Sequence, residues 1–134
     1  MKISILTVGK IKEKYFNDAI AEYSKRLSRY CNLEILQVAD EKTPDHASEA
    51  LCVQIKEKEG ERLLRLIRED AYVIALAIDG KSMTSEQLAG KIDGLGVRGV
   101  SHIQFIIGGS LGLSDAVLKR ADEHLSFSAM TFPH

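Results

Sequence analysis

Cysteine, proline and net charge are the scarce ingredients of this chain: its 134 residues hold two Cys, two Pro and no Trp, and 18 Lys plus Arg against 19 Asp plus Glu leave a formal charge of −1. Cys31 and Cys52 match no disulfide, zinc or redox spacing, so a stapled fold and a thiolate metal site are both excluded and the two are read as reduced thiols. Near-neutral charge excludes a protein that grips nucleic acid or a membrane surface by overall electrostatics alone. No apolar run approaches the roughly 18 residues needed to span a bilayer, and the N-terminal Met1-Lys-Ile-Ser-Ile-Leu-Thr-Val-Gly9 has no cleavage-site pattern. A soluble, cytoplasmic protein is the expectation, with no membrane partner. No G-x-x-x-x-G-K-S/T loop is present to cradle a nucleoside triphosphate. His46, His102, His124 and His134 show no ligand spacing, so no metal is expected.

What is present suffices for one domain over residues 1–134, since 45% of the residues are hydrophobic, enough for a core without staples. Charge is unevenly spread. Residues 1–30 hold seven basic and three acidic groups, and residues 31–60 hold three basic and seven acidic, so one end of the domain is expected to be locally positive.

The hydrophobic pattern alternates between strand and helix. Ile3 to Val8 is apolar, β-branched and stopped by Gly9, which suits a buried first strand. Phe16, Ala19, Ile20, Tyr23, Leu27 and Tyr30 recur at helical spacing and predict an amphipathic helix from Lys14 to Tyr30. Leu33–Val38 reads as a second strand and 39–46 as a loop, with Asp40, Thr43, Pro44 and Asp45 as its turn residues. Ser48 caps a helix with Leu51, Ile55, Leu63, Leu66 and Ile67 inside and an alternating charged side of Lys56, Glu57, Lys58, Glu59, Glu61 and Arg62 outside. Tyr72–Ile78 is a third strand ended by Asp79-Gly80. Thr84-Ser-Glu-Gln87 fits a capping box and opens a helix to about Asp93. His102–Ile107 is a fourth strand, Ser114 caps a helix carrying Val117, Leu118 and Ala121, and Leu125–Thr131 is a fifth strand. Such alternation predicts an α/β fold with a mostly parallel sheet buried on both faces, and a ligand crevice beyond the carboxyl ends of the strands.

Two glycine motifs need weighing. Gly94-Leu-Gly-Val-Arg-Gly99 matches the dinucleotide fingerprint in letters, but it follows a helix and leads into a strand, the reverse of what a pyrophosphate site needs, and is read as a helix C-cap and loop. Gly108-Gly-Ser-Leu-Gly112 matches the nucleophile elbow, with Ser110 as nucleophile and Asp115, Asp122, His124 and His134 as formal partners. Here Gly112, Leu113 and the capping Ser114 delay the helix that an elbow enters at once, so the hydrolase is a minor alternative. The stretch Phe105-Ile-Ile-Gly-Gly-Ser-Leu-Gly-Leu113 reads better as a strand running into a turn where backbone can approach a ligand closely.

Taken together, several ordered blocks resemble the SPOUT-class, trefoil-knotted methyltransferases of large-subunit ribosomal RNA, in particular the small RlmH group. These blocks are Val8-Gly-Lys10 with Lys12-Glu-Lys-Tyr15, Glu22-Tyr-Ser-Lys-Arg-Leu27, Asp40-Glu-Lys42, Lys56-Glu-Lys-Glu-Gly60, Val73 to Gly80-Lys81, Phe105 to Ser110 with Gly112-Leu113, and Leu125-Ser-Phe-Ser through Met130-Thr-Phe-Pro-His134. The resemblance implies S-adenosylmethionine as methyl donor, N3 of a pseudouridine in 23S rRNA of the assembled ribosome as acceptor, and a homodimer. By position it implies that Leu76 walls the adenine, that Gly108 lets the main chain approach, and that Phe127, Ser128, Ala129, Met130, Thr131 and Phe132 form the rest of the donor loop. It assigns no general base; His134 is a candidate by location only. Family members continue past the Phe-Pro-His segment with a further helix and a tail ending in Tyr-His. The chain is therefore expected to be a C-terminally truncated domain with an incomplete knot, and a catalytically weak RNA- or donor-binding domain is the alternative. Lys10, Lys12 and Lys14 are the candidate phosphate contacts.

Overall fold

The computed structural model describes residues 1–132; Pro133 and His134 lie outside the described residues. Nine elements follow one another: β1 (Lys2–Val8), α1 (Lys14–Leu27), β2 (Asn32–Val38), α2 (Glu49–Leu66), β3 (Tyr72–Ser82), α3 (Ser85–Val97), β4 (His102–Ile107), α4 (Asp115–Arg120) and β5 (Glu123–Ser126). The five strands form one sheet in the order β2-β1-β4-β3-β5, with every pairing parallel. This is the expected α/β architecture.

Both faces of the sheet are covered, as a parallel sheet requires. On one face Leu6, Val8, Val73, Ala75 and Ile106 meet Leu63 of α2 and Val117 of α4. On the other, Ile74, Ile103 and Leu125 meet Leu95, with Leu88 and Ile92 of α3 beside them. The period-2 alternation of strand side chains sorts these residues: even-numbered β4 positions and odd-numbered β3 positions share the first face.

The ends of several elements depart from expectation, and each has a local cause. Helix α1 stops at Leu27 rather than Tyr30: the Ser28 hydroxyl donates to Lys25 O at 2.6 Å, an alternative bond that weakens the helical ladder, and Cys31 N–H turns back to Leu27 O at 3.0 Å. Strand β5 runs from Glu123 to Ser126, not from Leu125 to Thr131. It begins early because Asp122 N–H joins Val73 O at 2.8 Å. It ends early because hydroxyls capture the backbone beyond it, Ser126 Oγ donating to Ser128 O at 3.1 Å and Ser128 Oγ accepting Met130 N–H at 3.0 Å.

Asp79-Gly80 does not end β3. The register jumps from Leu76↔Leu125 to Lys81↔Leu125, so residues 77–80 bulge out before the strand resumes through Ser82. A Cβ at Gly80 would stand 2.8 Å from the carbonyl carbon of His124 and 2.9 Å from Leu125 N, so only glycine allows this approach. Helix α3 has the expected capping box at Thr84 and Gln87 and runs to Val97, so Gly94 and Gly96 lie inside it. Gly99, at φ 95°, follows the cap residue Arg98 as the left-handed terminator.

Candidate functional site

The register brings three distant segments to the carboxyl end of the sheet. Ala75 pairs with Ile106 and Leu76 with Leu125, so Leu76 sits in a row between Ile107 and Leu125, with Gly108 and Ser126-Phe127 just beyond. Residues separated by some fifty positions in sequence thus become neighbours. Ligand crevices of open parallel sheets lie at this edge.

The turn after β4 is built by its glycines. Gly112 N–H donates to Gly109 O at 3.0 Å, and Gly112 adopts φ 89°. The loop folds back so closely that a Cβ on Gly108 would stand 2.7 Å from Gly112 C and 2.8 Å from its oxygen. Ser110 is exposed at the tip, and α4 begins only at Asp115, capped by Ser114 Oγ. That is not an elbow. His124 Nε2 lies 2.8 Å from Leu118 O, and Asp122 accepts Val73 N–H at 2.8 Å, so two of the four formal triad partners serve the β5 edge instead; Asp115 opens α4, and His134 lies outside the described residues.

The other expected donor residues have unequal surroundings. Leu76 is half-buried against the α3-side core. Phe127, Met130 and Phe132 are 69%, 70% and 60% exposed, and Ala129 and Thr131 are also exposed. Ser128 is held by hydrogen bonds, its carbonyl accepting from Ser126 Oγ and its hydroxyl from Met130 N–H. A cleft of about 480 Å³ lies at the opposite end of the sheet, between Met1, Ile3, Leu27, Tyr30, Ile92 and Val97. A smaller one, about 280 Å³, lies between α2 and the start of α4. Neither is lined by Gly108 or by residues 127–132.

Beside the glycine turn, Gly9 at φ 87° redirects the chain out of β1, its N–H held by Val38 O at 2.9 Å. Lys10, Lys12 and Lys14 follow, all exposed, with Lys14 paired to Asp18 at 2.7 Å. The Asn17 side chain donates to Ile11 O at 3.1 Å and fixes the loop between them. Because β1 pairs directly with β4 through Thr7↔Ile107, this basic loop stands at the same end of the sheet as Gly108.

One residue of this end was misread from sequence. Glu59, assigned to the charged outer side of α2, is only 4% exposed and lies under the glycine turn. Its Oε2 accepts Glu41 N–H at 2.9 Å, and its Oε1 stands 3.0 Å from where a Cβ of Gly109 would be. Burial, above all, pushes its pKa up, with Asp40 adding to the rise against the opposing hydrogen bond from Glu41. Arg62 also turns inward, donating to Ala39 O at 2.7 Å and to Glu41 Oε1 at 2.9 Å. The available signal was Gly60: a helix-interior glycine marks close packing, and here a Cβ would collide with Ser114 Oγ. No group of three or more potential metal-ligating residues occurs among the described residues.

The fold is an all-parallel α/β sheet with a glycine turn at its carboxyl edge, and the comparisons assign its family. Residues 1–134 match the family described as "Predicted SPOUT methyltransferase". The chain is 71% identical to a "Ribosomal RNA large subunit methyltransferase H" of Bifidobacterium adolescentis, and 61% and 60% identical to proteins of the same name from Bacillus pumilus and Clostridium beijerinckii. Each match covers 100% of this chain and 84% of the relative. The chain belongs to the SPOUT methyltransferase family.

Proposed function

We propose that this chain methylates N3 of a pseudouridine in 23S rRNA of the assembled ribosome, using S-adenosylmethionine and acting as a homodimer in the cytoplasm. The names and identities of the relatives support methyl transfer to large-subunit rRNA. The row that sets Leu76 beside Leu125, with Gly108 and Phe127 just beyond its ends, is the observation that supports the donor site.

The residues present fit such a donor. A nucleoside without phosphates needs main-chain donors and acceptors plus apolar walls, not a phosphate loop. Gly108 lets the turn fold back onto Gly112, and Leu76, Phe127, Met130 and Phe132 offer apolar surface. In this reading Leu76 and the Phe127–Phe132 segment hold the adenosine, and Gly108 admits it to the main chain. Bound there, S-adenosylmethionine supplies an electrophilic methyl carbon on a sulfonium. The work left to the protein is to hold donor and acceptor in line, a contribution of orientation rather than of covalent chemistry. The acceptor imide must lose its proton. Lys10, Lys12 and Lys14 hold RNA phosphates beside the turn, supplying locally the positive charge that the whole chain lacks.

Titration calorimetry with S-adenosylmethionine and S-adenosylhomocysteine tests the donor site. Binding that is lost in Gly108→Ala is expected, because the new methyl must displace the backbone of Gly112. Absence of heat from both ligands would sink the reading, and labelling of Ser110 by a fluorophosphonate would point back to a hydrolase.

A further inference from the structure

A nearly buried carboxylate is costly unless it is paired or hydrogen-bonded. Glu59 is such a group, and its two oxygens have different surroundings. Oε2 is satisfied by Glu41 N–H at 2.9 Å. Oε1 lies 3.0 Å from the Cβ position of Gly109, with Val8 Cγ1 3.3 Å from that same point, and among the described residues no buried side-chain oxygen is left without a hydrogen-bond partner. The next residue, Gly60, packs against Ser114, where the turn gives way to α4. One step of α2 therefore seats both ends of the segment from Gly109 to Ser114. Arg62, one turn on, ties the loop after β2 to the same helix through Ala39 O and Glu41 Oε1.

We infer that Glu59 is a positioning residue: its carboxylate wedges the Gly108–Ser110 turn against the loop after β2 and so sets the main-chain geometry that receives the methyl donor. This rests on the donor site proposed above. The hold is the hydrogen bond from Glu41 N–H together with the side chain's contact under Gly109, and a protonated carboxyl group keeps an acceptor for it. The titratable and charged groups facing Glu59 are Asp40 and Glu41 from the loop and Arg62 from α2. The residues it meets from β1 and the glycine turn, Val8 and Gly109, do not titrate. Burial raises the pKa of the seated carboxyl group, so protonation favours the seated form over a released one and acidification does not release the wedge.

The test compares wild type with Glu59→Ala, which removes both the acceptor for Glu41 N–H and the contact with the turn, and with Glu59→Gln, which keeps both. S-adenosylhomocysteine affinity is measured by calorimetry, and backbone amide exchange is followed by mass spectrometry without ligand. Expected are an affinity about tenfold weaker in Glu59→Ala, equivalent to one hydrogen bond to a buried acceptor, and recovery of most of it in Glu59→Gln. Exchange should quicken at 39–47 and 108–112 in Glu59→Ala while the strands keep their protection. Unchanged affinity in Glu59→Ala overturns the inference, and so does faster exchange throughout the sheet, which would mean a merely structural role. If wild type binds no donor, the proposed donor site fails. Exchange then decides the wedge alone: quickening confined to the two loops upholds it, and unchanged exchange at 108–112 overturns it.

Discussion

Ser4 Oγ and His102 Nε2 lie 2.7 Å apart across the β1–β4 pair, and the same hydroxyl is 3.2 Å from Glu34 Oε1 on β2. A carboxylate can only accept, so the Ser4 O–H donates to Glu34 and its oxygen accepts from His102. That assigns the ring proton to Nε2. Ser4 is fully buried, so three neighbouring strands are joined at the amino end of the sheet, far from the glycine turn.

The pKa of His102 is lowered by burial, then by Lys2, with Glu34 opposing. A base with a depressed folded-state pKa is neutral in the native protein, so its contribution is complete above the unfolded value of about 6.5 and is lost as the pH falls below it. Urea unfolding between pH 7.5 and 5 should show falling stability in wild type and a flatter profile in His102→Gln. Equal slopes would remove His102 from the account.

Gly60 and Ser114 make a size-coupled pair. Gly60→Ala sets a methyl against Ser114 Oγ and 3.0 Å from Ser114 Cβ, and overpacking of this kind costs about 1–3 kcal/mol. Ser114→Gly alone loses the cap on Val117 N–H, a few tenths of a kcal/mol when Gly takes the cap position. The double variant should be more stable than Gly60→Ala, a non-additivity readable from denaturation midpoints. Strict additivity would show that the helix shifts instead.

Gly80→Ala meets backbone rather than side chain, at His124 and Leu125, and nothing there can rotate away. The expected outcome is a loss of at least about 2 kcal/mol, with raised amide exchange confined at first to β5 and residues 77–82. Wild-type protection in β5 would mean that the bulge is softer than its contacts imply.

Charge reversal at Lys10 and Lys12 should weaken methylation of ribosomal particles while leaving S-adenosylhomocysteine binding intact. Each phosphate contact contributes about 0.7–0.9 to the slope of log K against log salt, so the double reversal should lower that slope by about 1.5. An unchanged slope would place the RNA elsewhere.

The sheet was legible because parallel strands buried on both faces must be continuously apolar and short, a pattern few other structures produce. β4 was bounded correctly, as were the Ser48, Thr84 and Ser114 caps, since each depends on residues within a turn of one another. Of the ends that failed, those at Leu27 and Ser126 were decided by serine hydroxyls whose choice between solvent and backbone no hydrophobic pattern encodes, and the end of β3 by the bulge that carries it on to Ser82. Glu59 was misread for a related reason. Alternating charge on α2 is the signature of a solvated face, and only a turn arriving from 50 residues away buries it.

By itself the sequence determined the order of elements, the glycine turn and the family, because hydrophobic period, capping chemistry and motif order are local properties of the chain. The strand order β2-β1-β4-β3-β5, the row that sets Leu76 beside Leu125, the bulge that admits Gly80 and the burial of Glu59 were decided only by the tertiary structure. Each depends on which distant backbone stands next to which, and on the hydrogen bonds and excluded volume that follow from that proximity.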